Sequence, residues 1–267
     1  MKQKDNQTPK QGHSANMLLY AVAPQPKLST DAIALDGAVV SRGNGIGATS
    51  ETYLMDCIVG MKHYPDKYFD LAVVDPPYGI NADDKNSTNK KQSRKSAAHS
   101  KDYGSQKWDM DVPTMQYFTE LFRVSKNQII WGVNYYPYDC FTGGRIYWDK
   151  CVTMPTYSDG ELAYCSMLNS IKSVKIAWHG MIQDDMKNKE QRIHPTQKPV
   201  KLYDWIFKNF AEPNFKILDT HLGSGSSRIA ADKAGLNFVG FERDEEYFYA
   251  QEMRFKDYKA QLTLFNK

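Results

Sequence analysis

The sequence predicts an α/β fold built on a mostly parallel sheet, and two stretches carry this prediction. In the C-terminal part, residues 215–218 and 238–241 are short apolar runs, separated by a glycine turn at 223–225 and a helix-forming stretch at 226–234. A strand, a helix and a second strand in this order form a parallel crossover unit. In the N-terminal half, residues 71–74 are all apolar, which is typical of a strand buried on both faces of a sheet.

Length and composition narrow the class of protein. The chain has 267 residues, of which 41% are hydrophobic and 24% charged, so it can bury one sizeable core.

No apolar run is long enough for a membrane span and the N-terminus lacks the apolar segment of a signal peptide, so we expect a cytoplasmic protein without membrane contact. The net charge of +3 means that any attraction to phosphate must be local. The cysteines lack paired metal-ligand spacing, so we expect reduced thiols and no metal site: Cys57, Cys140, Cys151 and Cys165.

The other elements follow in chain order. Short helices are predicted at 58–61 and 114–124, and strands at 128–131, 145–148, 162–165 and near 175–178. Pro199 can open a helix, because a helix needs no N–H at its first position. Leu202, Trp205, Ile206 and Phe210 then share one face of that helix. Gly235 is a natural stop after the helix at 226–234, and the C-terminal tail is helical and polar.

The chain divides into a tail and one domain. Residues 1–49 are polar and are expected to be a loosely ordered tail, and the glycines at 43–47 a flexible linker. These glycines do not form a dinucleotide fingerprint, because no strand precedes them and the third glycine comes too early. Residues 50–267 form the domain, which contains a long polar, basic stretch at 79–110; a loop of that length is usually functional or disordered.

A small polar platform follows the buried strand at 71–74. Asp75 can accept hydrogen bonds, Pro76 and Pro77 fix the backbone and donate none, and Tyr78 offers an aromatic face for stacking. Such a platform suits an exocyclic amino group on a flat heterocycle.

The glycine turn predicts a cofactor that contains a nucleoside. Gly223 and Gly225 follow Asp219 and let the backbone approach a ligand at the amino end of a helix that begins at Ser226. Glu242 ends the next strand, where an acid can hold ribose hydroxyls. The three-glycine pyrophosphate fingerprint is absent, so a dinucleotide is disfavoured. The alternative is an ordinary α/β turn with a terminal acid.

Three motifs in one order resemble the β-class DNA amino-methyltransferases. They are the Asp-Pro-Pro-Tyr motif at 75–78, the His-Pro-Thr-Gln-Lys-Pro segment at 194–199, and the Asp-x-x-x-Gly-Ser-Gly motif at 219–225. Residues 131–136, 148–150 and 158–163 look like the intervening blocks of that family. The resemblance implies a three-layer, doubly wound, mostly parallel sheet of the S-adenosylmethionine-dependent methyltransferase type, with the permuted motif order in which the catalytic motif comes first.

The same resemblance implies roles for individual residues. The catalytic residues would be Asp75, Pro76, Pro77 and Tyr78. The cofactor S-adenosyl-L-methionine would be held at its methionine portion by the turn, through Asp219, Gly223, Gly225 and Ser226. Glu242 would hold its ribose, and Thr196 and Lys198 of the 194–199 segment would hold its carboxylate. Asp56 would lie at its adenine edge. The family usually has Pro-Phe where this chain has Thr220-His221, and His221 is expected to replace packing bulk.

Duplex DNA is the expected partner, and its target base must be rotated out to be reached. The basic stretch at 79–110 would close over the displaced strand. The recognition window at 166–191 is too short for a domain, which indicates a short target site or weak selectivity. Expected phosphate contacts are Lys90, Lys91, Arg94, Lys95, Lys172 and Lys175, with Lys187 and Lys189 as further candidates. The protein is expected to be a monomer or a homodimer.

Adenine-N6 methylation is the leading hypothesis, because cytosine-N4 enzymes of this class more often carry serine where this chain has Asp75. Cytosine-N4 methylation remains the alternative, and methylation of an RNA base is a further one. Enzymes that methylate protein amides carry asparagine at that position, which counts against them, and intact motifs count against a non-catalytic binding module. The compact recognition window favours a solitary, phage-like enzyme over one paired with a restriction endonuclease.

Overall fold

The computed structural model of the chain describes residues 39–44, 48–80, 111–153, 158–179 and 182–265. The strands are β1 (Val39–Asn44), β2 (Thr49–Leu54), β3 (Phe69–Val74), β4 (Ser125–Trp131), β5 (Arg145–Asp149), β6 (Gly160–Cys165), β7 (Ile171–Lys175), β8 (Trp178–His179), β9 (Ile182–Gln183), β10 (Lys216–Asp219) and β11 (Asn237–Glu242). The helices are α1 (Cys57–Met61), α2 (Met115–Val124), α3 (Val200–Phe210), α4 (Ser226–Lys233) and α5 (Glu245–Phe265). These residues fall within one compact unit, Ala34–Lys267.

The larger of the two sheets in the described residues has nine strands, in the order β1-β2-β11-β10-β3-β4-β6-β5-β7. The five central strands, β2, β11, β10, β3 and β4, are parallel to one another. On one side β6 reverses direction against both β4 and β5, and β7 is again parallel to β5. On the other side β1 pairs antiparallel with β2. The predicted α/β fold with a mostly parallel sheet is confirmed.

Helices cover both faces of the sheet. On one face, Leu71 and Val73 of β3 share a buried cluster with Leu202 and Ile206 of α3. Phe238 of β11 belongs to the same cluster, and because side chains alternate between the faces of a strand, Phe241, three positions later, points to the other face. There its ring packs against Gly60 of α1, where an added Cβ would lie 2.3 Å from a ring carbon. The predicted three-layer arrangement follows from these two helix layers.

The strand predicted near 175–178 is displaced in the structure. Val174, Ile176 and Trp178 are buried in alternation, as in a strand. The strand β7 nevertheless ends at Lys175. Beyond it the amide of Ile176 still donates to the carbonyl of Asp149 at 3.0 Å, while the carbonyl of Ile176 accepts the indole N–H of Trp148 at 3.0 Å. Trp178 then begins the short hairpin of β8 and β9.

Two further findings concern the predicted N-terminal tail and the predicted absence of a membrane span. Strand β1 lies inside the segment expected to be a loose tail, where it forms the edge of the sheet. Among the helices of the described residues, none combines the length and the apolar character that crossing a membrane requires.

Candidate active site

The sheet brings the predicted catalytic and cofactor motifs to one edge. Strands β3 and β10 are parallel neighbours, with Leu71 opposite Ile217 and Ala72 opposite Leu218. Their carboxyl ends, which carry Asp75 and Asp219, therefore open at the same edge. From β3 the chain continues to β4 on one side, and from β10 to β11 on the other. Such a change of direction leaves a crevice outside the carboxyl ends of the strands, where ligands of open α/β sheets bind.

Both carboxylate oxygens of Asp75 have partners. Oδ1 accepts the hydroxyl hydrogen of Tyr78 at 2.6 Å, and Oδ2 lies 2.5 Å from the ammonium of Lys198. The Asp75 side chain keeps 18% of its surface exposed, whereas that of Lys198 keeps 3%. Burial raises the pKa of Asp75, the Lys198 ammonium opposes the rise, and the Glu161 carboxylate adds to it.

Two acids share the Lys198 ammonium, and a second lysine contacts the outer acid. Glu161, at the start of β6, lies 2.9 Å from Lys198 Nζ through Oε2 and 2.6 Å from Lys150 Nζ through Oε1. Burial alone would raise the pKa of Glu161, but the two ammonium groups outweigh it and lower the pKa to about 2. The order Asp75, Lys198, Glu161, Lys150 is a row of alternating charges, and we call these four residues the charge row.

The ring of Tyr78 already has an aromatic neighbour. Tyr135 stacks on it with ring centroids 5.0 Å apart and planes 14° from parallel, and Tyr135 is 38% exposed. Gly132 has φ +72° and lies so close to the Tyr78 ring that an added Cβ would be 2.1 Å from a ring carbon. The carbonyl of Pro76 accepts the hydroxyl hydrogen of Tyr136 at 3.0 Å. A carbonyl has two lone pairs, so this bond leaves an acceptor position on Pro76.

The glycine turn is fastened from several sides. Gly223 and Gly225 have φ of +49° and +70°, which side chains rarely adopt, so the turn requires glycine there. The amide of Gly223 donates to Oε2 of Glu242 at 2.8 Å, and the other oxygen of Glu242 accepts the amide of Asp244 at 2.9 Å. Arg254 of α5 donates to the carbonyl of Ser224 at 2.8 Å.

Arg254 also connects the turn to the opposite wall. It donates to the hydroxyl of Ser226 at 2.9 Å and forms an ion pair with Glu190 at 2.8 Å. The second oxygen of Glu190 accepts the amide of Val200, the first residue of α3, at 2.9 Å. Arg254 thus links the glycine turn to the start of α3 through Glu190.

Asp219 is a buried carboxylate with few partners for its charge. It is 2% exposed, and it accepts the amide of His221 at 3.0 Å and the hydroxyl of Ser227 at 2.5 Å. Burial outweighs these hydrogen bonds and raises the pKa of Asp219 to about 7. A cationic ligand would lower the cost of ionising such a group.

The His194–Lys198 segment spans the catalytic and cofactor halves. At one end the His194 ring lies 3.6 Å from the position of a Cβ on Gly223, and at the other the Lys198 ammonium contacts Asp75. Thr196 is half-buried, with its hydroxyl 3.2 Å from Nδ1 of His194. Lys198 was expected to face the cofactor carboxylate; in the structure its ammonium contacts Asp75, and its role towards the cofactor stays a prediction.

Two other predicted residues have local partners. Asp56 is exposed and caps α1 by accepting the amides of Ile58 and Val59 at 2.9 and 3.1 Å. His221 packs edge-on against Tyr117 at 5.4 Å, which fits the expected packing role, and Thr220 bridges both through its hydroxyl. Burial lowers the pKa of His221 to about 4, so its imidazole is neutral at physiological pH.

The structure describes only some of the residues that were predicted to contact phosphate. Lys172 and Lys175 are exposed on β7, the outer strand of the sheet, and Lys175 lies 3.7 Å from Asp149. Lys187 and Lys189 are exposed after β9. The basic candidates of the 79–110 stretch lie outside the described residues: Lys90, Lys91, Arg94 and Lys95.

Sequence reasoning assigned no role to Glu161 or Tyr135. Both lie inside blocks that resemble the family, but neither forms a local pattern with the catalytic motif. Glu161 reaches Asp75 only because β6 runs antiparallel to β4, which brings the start of β6 to the carboxyl edge. An acid near the start of a predicted strand, inside a block that resembles the family, was the available signal.

Comparisons with known proteins agree with this geometry. The family model described as DNA methylase, for N6 and N4 methyltransferases, matches residues 169–253. The chain is 24% identical over 249 residues to the type II methyltransferase M.HinfI of Haemophilus influenzae, a match that covers 76% of this chain and 67% of that protein. It is 40% identical over 63 residues to the putative methylase YubD of Escherichia coli strain K12, covering 24% of this chain and 28% of that protein.

Among solved structures, the fold is similar to the cytosine-N4-specific PvuII DNA methyltransferase. The TM-score is 0.51 at 14% identity, and the likeness covers 80% of this chain and 90% of that one. The chain thus shares the fold of this methyltransferase and, over residues 169–253, matches the DNA methylase family model.

Proposed function

We propose that this protein transfers a methyl group from S-adenosylmethionine to the N6 amino group of an adenine rotated out of duplex DNA. The observation that carries the proposal is the shared edge of β3 and β10, with Asp75 at the end of one strand and Asp219 at the end of the other. An acceptor for an amino group and a turn suited to a nucleoside cofactor therefore open into the same crevice.

The residues at the turn fit S-adenosylmethionine. Asp219 is a buried acid that a cationic amino group would stabilise in its ionised form. Glu242 is 9% exposed, and beyond its two amide hydrogen bonds its carboxylate has lone pairs for ribose hydroxyls. Gly223 and Gly225 let the backbone approach the ligand closely. Ser226 would lie beside them, and we keep Thr196 and Asp56 as candidates for the carboxylate and the adenine edge.

The chemistry needs little more than positioning and charge. S-adenosylmethionine supplies a methyl group activated by a positively charged sulfur. The adenine amino group is a poor nucleophile, because its lone pair is spread into the ring. Asp75 would accept one of its N–H groups and the carbonyl of Pro76 the other, which aims the lone pair at the methyl group. Both interactions strengthen as positive charge grows on the nitrogen, so they favour the transition state over the ground state.

Tyr78 would provide the stacking surface for the extruded base. The face on which Tyr135 now stacks is an aromatic surface at the mouth of the crevice, and Tyr135 is one of the more exposed aromatic residues described. We infer that an entering base displaces Tyr135 or stacks beside it. Base rotation costs a few kcal/mol, which contacts with the displaced strand would offset.

Adenine is proposed over cytosine because of Asp75 itself, since serine is the more frequent residue there in cytosine-N4 enzymes. The short segment between β6 and α3 supports a short target sequence, and we keep the proposal of a solitary enzyme on the same ground. Lys172 and Lys175 are proposed to contact phosphate, which positions DNA without specifying its sequence.

The test is a product analysis. The protein is incubated with labelled S-adenosylmethionine and unmethylated duplex DNA, and the DNA is digested to nucleosides. Label in N6-methyldeoxyadenosine supports the proposal. Label in N4-methyldeoxycytidine would assign the alternative base, and transfer to RNA or protein but to no DNA would refute a DNA substrate. The Asp75→Ala variant is the control for transfer by this site.

A further inference from the structure

We propose that Glu161 is a positioning residue for methyl transfer, which shares the Lys198 ammonium with Asp75 and so preserves part of the negative charge at the amine acceptor. This inference rests on the proposed function, because it assigns a role within the same reaction. It adds a residue that the catalytic motif does not contain.

The geometry places Glu161 one step beyond the acceptor. Lys198 Nζ lies 2.5 Å from Asp75 and 2.9 Å from Glu161, so one ammonium bridges two carboxylates. The hydroxyl of Tyr78 lies 2.6 Å from Asp75 and 3.1 Å from Glu161, within donating distance of both. The Lys198 ammonium donates to the same hydroxyl at 3.0 Å. Glu161 therefore contacts both partners of the catalytic acid.

The charges explain why a second acid is needed. Transfer of a methyl cation to a neutral amine puts positive charge on the nitrogen, and Asp75 stabilises that charge only as far as its own is not cancelled. With Asp75 alone, the buried Lys198 ammonium would cancel it. With Glu161 present, two carboxylates share the Lys198 ammonium, so it cancels only part of the Asp75 charge. Lys150 pairs with the outer oxygen of Glu161, at 2.6 Å, on the side away from Lys198.

Stabilisation of the fold is not a sufficient reason for the charge row. Buried ion pairs repay their desolvation poorly, so a row of four charged groups at a ligand crevice points to a role in the site. The other ionisable groups that act electrostatically with Asp75 carry no positive charge: Tyr78, Tyr117, Tyr203 and Asp219. Glu161 and Lys198 are therefore the charges that set the state of Asp75.

The experiment compares Glu161→Gln with Asp159→Asn as a matched control. Asp159 is exposed and lies just before β6, so its substitution removes the same charge from the same stretch of chain without touching the charge row. Three quantities are measured for wild type and variants: the single-turnover rate of methyl transfer at saturating cofactor and DNA, the cofactor affinity, and the titration of the Asp75 carboxyl carbon by NMR, assigned with Asp75→Asn.

We expect Glu161→Gln to lower the single-turnover rate by about 10- to 100-fold, the size found when an outer partner of a functional group is removed. Cofactor affinity should not change. Because Glu161 adds to the raised pKa of Asp75, its removal should lower that pKa and move the acid limb of the rate profile to lower pH. Glu161→Asp keeps the charge, so it should leave the pKa of Asp75 near the wild-type value. Asp159→Asn should match wild type throughout.

The outcomes separate this inference from the proposed function. If Glu161→Gln has the rate and the Asp75 titration of the control, the inference is overturned. A rate loss matched by an equal loss of cofactor affinity also overturns it, because a structural role would produce that result. If wild type transfers no methyl group to DNA, the proposed function fails, and the NMR titration alone decides about Glu161. If Glu161→Gln does not fold, Glu161→Ser, which also removes the charge, replaces it with the same expected results, and a wild-type rate and Asp75 titration in that variant overturn the inference.

Discussion

Replacing Asp219 by asparagine should stabilise the cofactor-free protein in a pH-dependent way. Asp219 is almost fully buried, and its hydrogen bonds to the amide of His221 and the hydroxyl of Ser227 do not compensate for the lost hydration of a charge. Asparagine can accept the same amide, and the Ser227 hydroxyl can rotate to accept its N–H. The substitution therefore removes a buried charge without leaving a large polar group unpaired.

The magnitude follows from the two pKa values of the acid. Burial raises the folded-state pKa to about 7, against an ordinary value of 3.8. The folded protein then holds a proton that the unfolded chain has released, so the free energy of unfolding falls as pH rises from about 4 to about 7 and is flat above. At 1.36 kcal/mol per pKa unit the full effect is on the order of 4 kcal/mol, of which roughly 3 kcal/mol falls between about pH 5 and about pH 8.

The assay is denaturant unfolding of the cofactor-free protein at both pH values. From about pH 5 to about pH 8, the free energy of unfolding of Asp219→Asn should rise by roughly 3 kcal/mol relative to that of wild type. Asp159→Asn, which removes an exposed charge, should follow the wild-type curve. Parallel pH curves for wild type and Asp219→Asn would refute the reasoning, because they would mean that the buried carboxyl ionises at the same pH in the folded and unfolded states.

Three further substitutions test the rest of the site. Asp75→Ala should lower the single-turnover rate by about 100- to 1000-fold, as expected for a lost transition-state partner, while the protein stays folded; near-normal turnover would contradict its role as the amine acceptor. Glu242→Ala should weaken cofactor binding measured by calorimetry much more than it slows transfer at saturating cofactor, and an unchanged affinity would argue against ribose contact. Arg254→Met should weaken cofactor binding and lower the melting temperature, because the Ser224 carbonyl and Glu190 lose their buried partner; wild-type values of both would show that the turn needs no such support.

Motifs with local causes could be read from the sequence. Leu71–Val74 is buried in β3 as its unbroken apolar run predicts, and the turn at Gly223–Gly225 has the positive φ angles for which glycine is required. Val200 begins α3 directly after Pro199, as expected of proline at a helix start. In each case the cause lies within a few residues of chain, so spacing and residue type are sufficient.

Predictions that depended on distant partners were less complete. The strand predicted near 175–178 lies earlier, at Ile171–Lys175, and beyond it the carbonyl of Ile176 accepts the indole N–H of Trp148 from another strand. Lys198 was predicted to hold the cofactor from the motif that contains it, and that prediction stays open; its contact with Asp75, which is 123 positions earlier in the chain, was not predicted. No local pattern encodes either contact.

The sequence by itself determined the α/β class, the buried strand that carries Asp75, the glycine turn after Asp219, and the likeness to DNA amino-methyltransferases. Only the tertiary structure decided that β6 runs antiparallel beside β4 and so brings Glu161 to the same edge as Asp75. Hydrophobic periodicity and turn chemistry act over a few neighbouring residues and are therefore readable along the chain. The meeting of the charge row depends on strand order and direction, which are set by packing of the whole sheet.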